Sequence, residues 1–342
     1  MSPPPALEAA IEGILAPGRG ILAADESLPT IARRFAEIEA VSTAETRHAW
    51  RELLITTPGL DRYISGVILS DDILRRDVGA GESVARVAGN RGIIPGVKVD
   101  AGTTDFARFP GELLTQGLDG LRDRLLEYRE LGACFTKWRA VIVVGESLPT
   151  LTCLQANVRA LAIFAAVSQE AGLVPMVEPE VLMNGRHGIA RCEDVTTTVL
   201  EALFEALFDH RVALEQVLLK TGMVVSGSEC PIQARVEEVA EATLRCLRRT
   251  VPAAVPGILF LSGGQADVVA TIRLNAICSA PTPPWRLSFS FGRALQAAAL
   301  YTWRGNPAHA PAAQEALHHR AFCNAAAAQG RYTEAMEQAD GQ

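Results

Sequence analysis

Lysine is almost absent from this 342-residue chain, which has only Lys98, Lys137 and Lys220 beside 29 arginines. Arginine has therefore taken nearly every position that needs only a positive charge. Arginine cannot lose its proton in a protein, whereas a desolvated lysine can lose it and then attack a carbonyl carbon. All three lysines end short apolar, strand-like runs. We therefore predict that these three positions require an amine.

Other absences narrow the class of protein. The seven cysteines are an odd number without a Cys-x-x-Cys pair, so neither a disulfide framework nor a zinc knuckle is predicted. A formal charge of -7 argues against a general nucleic-acid-binding protein. The longest apolar run, 160–167, is too short to span a bilayer, and the first residues lack the pattern of a secretion signal. We expect a cytoplasmic protein without a membrane role.

The six histidines give no sign of a metal centre, because none of them ends a strand-like run. The adjacent His318 and His319 cannot share one helix face, and we interpret them as solvated surface residues. His187 is interpreted as a loop residue. We find no cluster of His, Cys and Asp with the spacing of metal ligands. The sequence thus predicts chemistry that needs no metal and no other cofactor.

Short β-compatible runs alternate with segments of helical periodicity, for example from Leu121 onward and over 195–208 and 236–247. This alternation predicts parallel βαβ units, and eight units close a (β/α)8 TIM barrel. No linker divides the chain, so we expect one domain over 1–342 with extra terminal helices and a polar, mobile tail from about 330. An open doubly wound sheet is the alternative, but its Gly-x-Gly-x-x-Gly loop is missing. The predicted strands are 20–25, 64–71, 93–100, 133–143, 173–181, 216–225, 258–262 and 286–291.

Polar residues accumulate where these strands end, and the active site of a barrel lies at the carboxyl ends of its strands. Each could be a structural ion pair, but their accumulation at one end of nearly every strand favours a functional site. In strand order the residues are Asp25; Lys98 and Asp100; Lys137 and Arg139; Glu178 and Glu180; Lys220; Ser262, Gly263 and Gly264; and Ser290, Gly292 and Arg293.

Two lysines in one lumen predict amine catalysis. A second positive charge is costly there, so we expect Lys137 and Lys220 to lower the pKa of whichever amine is more desolvated. Lys220 follows an apolar run and lies one strand from Glu178 and Glu180, which could donate and accept protons around a carbinolamine. The Ser-Gly-Gly turn at Ser262 and the guanidinium one strand later also suit a phosphate group.

Long sequence blocks in the chain resemble the class I, Schiff-base-forming fructose-1,6-bisphosphate aldolases, from about residue 15 to about residue 333. The blocks are Gly-Ile-Leu-Ala-Ala-Asp-Glu-Ser at 20–27, Gly-Val-Ile-Leu at 66–69, Thr-Gln-Gly-Leu-Asp-Gly-Leu at 115–121, Val-Glu-Pro-Glu-Val at 177–181, Leu-Leu-Lys at 218–220, Phe-Leu-Ser-Gly-Gly-Gln at 260–265 and Ser-Phe-Gly-Arg-Ala-Leu-Gln at 290–296. The resemblance implies reversible, metal-independent cleavage of fructose 1,6-bisphosphate in glycolysis and gluconeogenesis. It also implies a homotetramer.

The resemblance assigns a role to each catalytic candidate. It implies that Lys220 forms the imine, that Glu178 handles water loss and proton transfer, and that Lys137 is the supporting amine. Asp25 would take the proton of the substrate's C4 hydroxyl, and Glu180 would support the lysine network. The phosphate of the dihydroxyacetone half would be held at Ser262, Gly263, Gly264, Ser290, Gly292 and Arg293. The other phosphate would face Ser27, Thr30, Arg34, Lys98 and Arg139.

Two departures from the family pattern concern the loop before Thr30 and the end of the chain, and alternatives to the implied function stay open. Leu28 and Pro29 stiffen the loop before Thr30, so cleavage of sedoheptulose 1,7-bisphosphate at the same site is one alternative. A sugar-phosphate-binding scaffold without turnover is another. Known members also end in a tyrosine that folds over the mouth, whereas this chain ends in a polar stretch after Tyr332. We therefore expect Glu178 or water to handle the last proton transfer.

Overall fold

The computed structural model describes residues 5–78, 82–281 and 283–338, and its central element is a closed barrel of eight parallel strands. Each strand pairs with its neighbours in the chain, and the first strand pairs with the last. The (β/α)8 barrel predicted from the sequence is confirmed. The barrel strands are β1 (Gly20–Ala24), β2 (Ile64–Leu69), β3 (Ile94–Lys98), β4 (Phe135–Ile142), β5 (Val174–Val181), β6 (Leu218–Thr221), β7 (Gly257–Phe260) and β8 (Arg286–Phe291).

All eight predicted strands are present, but most of them begin or end at different residues from those predicted. The largest difference is in β6, where 216–225 was predicted and only Leu218–Thr221 pairs. Two short antiparallel ribbons lie outside the barrel; they pair Asp77–Val78 with Glu82–Ser83 and Thr103–Asp105 with Leu113–Thr115.

Twelve helices are found in the described residues. The three segments predicted from helical periodicity fall within α6 (Leu121–Glu130), α8 (Ile189–Asp209) and α9 (Val236–Thr250). On α9, for example, Val239, Thr243 and Leu247 are buried at intervals of four residues, so one face packs against the barrel. The helices are α1 (Pro5–Ile14), α2 (Leu28–Ala36), α3 (Ala44–Ile55), α4 (Asp71–Leu74), α5 (Val84–Asn90), α6 (Leu121–Glu130), α7 (Leu151–Glu170), α8 (Ile189–Asp209), α9 (Val236–Thr250), α10 (Asp267–Cys278), α11 (Arg293–Trp303) and α12 (Ala310–Ala327).

A small apolar cluster fills the lower part of the lumen and determines which residues lie above it. It contains Phe135 of β4, Met176 of β5 and Leu218 of β6, together with apolar residues of α1. Because side chains alternate along a strand, the residues two positions later point into the same lumen, one layer nearer the carboxyl end. Those residues are Lys137, Glu178 and Lys220.

Helix α7 is long and apolar enough to cross a membrane by length and composition alone. Its apolar window is 56% buried inside the protein, and the helix packs on β4 and β5. The core helix of a globular barrel has the same composition, so the length and apolarity of α7 are weak support for a membrane span.

The segment after α12 differs from the polar, unanchored end expected from the sequence. Tyr332 is buried, Met336 packs against the main core, and Glu337 forms an ion pair with Arg320 of α12. Tyr332 and Met336 therefore anchor residues 332–337 to the core. We did not predict this anchor because the segment is rich in polar residues. The remainder of the expected mobile tail, 339–342, lies outside the described residues.

Candidate active site

Two lysines and two carboxylates form a chain of contacts across the barrel lumen. Lys220 Nζ lies 2.9 Å from Oε1 of Glu178, and Lys137 Nζ lies 2.9 Å from Oε2 of the same carboxylate. Lys137 Nζ also donates a 2.7 Å hydrogen bond to Oδ2 of Asp25. All four residues are buried. Four of the five predicted catalytic groups thus meet in one network.

Burial and charge oppose one another at the two carboxylates. Burial alone would raise the pKa of Asp25 and of Glu178. The charges of Lys137 and Lys220 outweigh this effect and hold both pKa values below their ordinary range. Asp25 and Glu178 are therefore ionised at neutral pH, so each can accept a proton.

Lys137 differs from the expectation that two amines in one lumen lower each other's pKa. Burial does act to lower the pKa of Lys137, but the nearby carboxylates of Asp25, Glu178 and Asp100 raise it well above its usual value. The carboxylates that lie between the two amines reverse the expected effect at Lys137. Lys137 is therefore a permanent cation in the resting site.

The outer part of the mouth consists of two further ion pairs. Arg139 of β4 pairs with Glu180 of β5. Lys98 Nζ lies 2.6 Å from Oδ1 of Asp100, and the other carboxylate oxygen of Asp100 accepts a hydrogen bond from the amide of Arg139. Glu180 thus contacts an arginine at the rim, not an amine of the central network.

The turn after β7 and the start of α11 meet at the proposed phosphate site. Gly263 and Gly264 have φ values of 52° and 93°, which favour glycine, and neither backbone N–H donates to a backbone carbonyl within the described residues. The Arg293 guanidinium donates to the Gly264 carbonyl, and Gly292 caps the N-terminus of α11. Open N–H groups at a helix N-terminus beside a guanidinium suit an anion.

Two hydroxyl groups lie at the same end of β7 and β8. Ser262 is buried at the beginning of the turn, and Ser290 is buried on β8. Among the described residues, the Ser290 hydroxyl has no hydrogen-bond partner. Since a buried polar group normally has one, the Ser290 hydroxyl is suited to a bound polar ligand.

Three of the five candidates for the second phosphate, Ser27, Thr30 and Arg34, lie between the end of β1 and the end of α2. Ser27 caps α2, and its hydroxyl is 3.0 Å from the hydroxyl of Thr30. Pro29 occupies the first turn of the helix, where its missing N–H costs nothing. We predicted that Pro29 stiffens a loop. Instead, Pro29 lies in the first turn of α2, a position that proline favours.

Arg34 of α2 does not stand alone, since it pairs with the buried Glu26. Glu26 also accepts hydrogen bonds from Arg51 of α3 and Gln296 of α11. The Arg51 Nε atom donates to the Ala24 carbonyl at 2.7 Å. This network fixes the end of β1, which carries Asp25. Glu26 was not predicted as a functional residue, although it lies inside the 20–27 block.

A second omission concerns the histidines. His319 is half-buried, and its donor atom lies with those of Cys323 and Glu337 within 4.8 Å of one another. His319 is therefore not the solvated surface residue that we expected. The interval of four residues between His319 and Cys323 on a helix was the signal that could have identified the cluster. His187 lies in a loop after β5, as predicted.

The fold and the mouth of the barrel together define the class of protein. A (β/α)8 barrel with a buried amine against a carboxylate, bordered by an anion-binding turn, is built for amine chemistry on an anionic carbonyl compound. Comparison with known proteins gives the family. A family model described as fructose-bisphosphate aldolase class-I matches residues 6–342.

Similar proteins agree with this match over nearly the whole chain. A probable fructose-bisphosphate aldolase class 1 of Xanthomonas campestris is 52% identical, covering 94% of this chain and 96% of its own. A fructose-bisphosphate aldolase of Dictyostelium discoideum is 47% identical, with 96% and 92% covered. The solved aldolase of Plasmodium falciparum, in complex with TRAP and an inhibitor, has a TM-score of 0.95 and 42% identity, with 97% and 98% covered. This chain belongs to the class I fructose-bisphosphate aldolase family, whose enzymes are metal-independent lyases.

Proposed function

We propose that this enzyme reversibly cleaves fructose 1,6-bisphosphate to dihydroxyacetone phosphate and glyceraldehyde 3-phosphate through an imine on Lys220. The observation that carries the proposal is the Glu178 carboxylate, which contacts Lys220 with one oxygen and Lys137 with the other. A buried carboxylate between two amines can take a proton from one while the second remains charged. That arrangement supports catalysis over a scaffold role without turnover.

Imine formation begins with transfer of a proton from the Lys220 ammonium to Glu178. The neutral amine attacks the C2 carbonyl carbon, and the resulting carbinolamine loses its hydroxyl as water when Glu178 returns the proton. Lys137 stays charged in this step because the Asp25 carboxylate, which remains ionised, raises its pKa. Its charge stabilises the oxygen that becomes negative during attack.

Cleavage breaks the bond between C3 and C4. Asp25 is ionised and lies in the same network, so it can accept the proton of the C4 hydroxyl. The electron pair of the broken bond passes to the protonated imine, which becomes an enamine, and the aldehyde product leaves. Protonation of the enamine at C3 and hydrolysis of the imine then release dihydroxyacetone phosphate. We propose Glu178 or water for that protonation.

The two phosphates are proposed to bind to two different groups of residues at the mouth. The turn at Ser262–Gly264, with Ser290, Gly292 and Arg293, supports the dihydroxyacetone side. Ser27, Thr30, Arg34, Lys98 and Arg139 support the other side. Sedoheptulose 1,7-bisphosphate would use the same groups with a longer aldehyde, so rates for the two bisphosphates measured in parallel separate these substrates.

Borohydride reduction in the presence of dihydroxyacetone phosphate tests the mechanism, because only an imine is trapped as a stable amine. We expect one adduct, on Lys220, and none in the Lys220→Arg variant. With three lysines in the chain, peptide mapping assigns the adduct directly. An adduct on Lys98 or Lys137 in the unaltered protein would contradict the assignment.

The remaining proposals concern the whole molecule. We propose a single domain, since one apolar core includes residues from Leu22 to Tyr332. A role in glycolysis and gluconeogenesis follows from the proposed reaction. We propose a cytoplasmic location, as for the relative from Cicer arietinum named a cytoplasmic isozyme. A homotetramer is also proposed, because the family resemblance implies one. Sedimentation analysis would measure the assembly.

A further inference from the structure

A second group of donor atoms lies on the outer helix layer. His319 and Cys323 are four residues apart on α12, so their side chains share one helix face. The short 3-10 helix Glu334–Gln338 places Glu337 against this face. The nitrogen, sulfur and oxygen donors of the three residues lie within 4.8 Å of one another.

The separation of the nitrogen and sulfur donors suits a tetrahedral metal ion. Zinc binds imidazole nitrogen at about 2.0 Å and thiolate sulfur at about 2.3 Å, which places two such donors about 3.5 Å apart. His319 Nε2 is 3.7 Å from Sγ of Cys323. An ion could therefore bind both atoms after only a small adjustment of their side chains.

Glu337 is held in place by residues that would not bind the metal themselves. Arg320 donates to Oε2 at 2.5 Å and to Oε1 at 2.9 Å, and the Tyr332 hydroxyl donates to Oε1 at 2.7 Å. A carboxylate has about four acceptor sites. Oε2 accepts only one of these bonds, so it retains a lone pair for a metal. Residues that orient a ligand in this way commonly support metal sites.

An open approach exists on one side of the cluster. A cavity of about 940 Å³ lies between the end of α3 and α12, and His319 and Glu337 are among its lining residues. Water in this cavity could supply a fourth ligand. Glu315 and His318 of α12 also line this cavity, together with Thr57 and Pro58 after α3.

We propose that His319, Cys323 and Glu337 bind one zinc ion, with water from the cavity as the fourth ligand. A donor set of one imidazole, one thiolate and one carboxylate selects a borderline ion such as zinc over magnesium or calcium. Binding releases the thiol proton of Cys323 to solvent. The ion would join α12 to residues 334–338 and would take no part in the lysine chemistry of the barrel mouth.

Cobalt(II) titration of the full-length protein, after treatment with a chelator, tests this proposal. We expect one equivalent of cobalt, a thiolate-to-cobalt charge-transfer band in the near ultraviolet, and loss of that band when zinc is added. The Cys323→Ser variant should lose the band. In His319→Gln and Glu337→Gln, the affinity for zinc should fall at least about a hundredfold, since even supporting residues contribute ten- to a hundredfold.

Matched controls separate this cluster from the other thiols and imidazoles. His318→Gln removes a neighbouring imidazole that lines the same cavity, and Cys278→Ser removes another thiol; both should leave cobalt binding unchanged. Tyr332→Phe removes only one hydrogen bond to Glu337 and should weaken zinc binding about tenfold. Glu337→Gln also breaks an ion pair, whereas His319→Gln breaks none in the described residues, so His319→Gln tests the site without that complication. A thiolate band that persists in Cys323→Ser, or no band in the unaltered protein, would overturn the proposal.

Discussion

Lys220 Nζ lies 2.9 Å from Oε1 of Glu178, in a part of the barrel lumen where only 3% of each residue is exposed. The contact joins the neighbouring strands β5 and β6, and both strands contribute side chains to the apolar layer below it. Because Oε2 of Glu178 contacts Lys137, the carboxylate is held ionised beside Lys220 and lies within reach of its proton. The first prediction follows from this contact.

Glu178→Gln should slow imine formation by about 10² to 10⁴, the usual contribution of a positioned acid or base. The amide cannot take the proton from Lys220 or return it to the carbinolamine. Stopped-flow measurement of the imine with dihydroxyacetone phosphate would give the rate. Glu180→Gln is the matched control, because Glu180 pairs with Arg139 at the rim and should cost less. Equal losses in the two variants would contradict the role of Glu178.

Arg293→Ala should weaken binding of dihydroxyacetone phosphate by about 1.5–3 kcal/mol, the range for a hydrogen bond to a charged group. Arg139→Ala, in the other group of residues, should instead weaken binding of glyceraldehyde 3-phosphate. Titration calorimetry with each triose phosphate would measure both affinities. If Arg293→Ala affected only glyceraldehyde 3-phosphate, the two phosphate positions would be reversed.

Cleavage activity should survive exhaustive chelation, because the proposed imine pathway uses only lysine and carboxylate groups. Lys220→Arg should abolish turnover although it keeps the charge, since a guanidinium cannot form the imine. A coupled assay with and without chelator makes the comparison. Activity that is lost in chelator and restored by zinc would overturn the metal-independent mechanism. The proposed zinc site on α12 predicts lower thermal stability in chelator without this loss of activity.

Deletion of residues 334–342 should change the cleavage rate by less than about threefold, or roughly 0.7 kcal/mol of barrier. The reason is that Glu337 pairs with Arg320 on α12, not with a residue of the lysine network. The deletion leaves Arg320 buried without its carboxylate, so the melting temperature should fall. Tritium exchange at C3 of dihydroxyacetone phosphate is the sharper measurement. A tenfold loss of exchange with the imine still formed would show that the tail is catalytic.

Stability should fall in acid because of the two central carboxylates. The ordinary pKa values are 3.8 for Asp25 and 4.5 for Glu178, and both are lowered in the folded protein. A lowered pKa contributes stability that is fully present above the unfolded value and is lost as the pH falls through the folded value. Asp25→Asn should therefore show a shallower decline in the urea midpoint below about pH 4. The exposed Glu8→Gln is the control and should follow the unaltered protein.

The sequence by itself determined the barrel and the residues of its mouth. Apolar strand-like runs alternate with helical segments along the chain, and this alternation specifies βαβ units. Strands and helices have different side-chain periods, and each element must bury one face. Lys137 follows Phe135 by two residues, and Lys220 follows Leu218 by two residues. This interval places both amines in the lumen once the strands form a parallel barrel. Local pattern was therefore sufficient for these positions.

The tertiary structure decided how those residues pair and what charge they carry. Lys137 contacts Asp25, which lies 112 residues away in the sequence. No local sequence pattern indicates that this carboxylate will raise the pKa of the amine. Strand ends differed because pairing depends on the neighbouring strand, as in β6. The His319, Cys323 and Glu337 cluster depends on how the last segment packs on α12. Contacts between distant segments are set by the packing of the whole chain, and interactions between buried charges depend on distances that only the folded barrel defines.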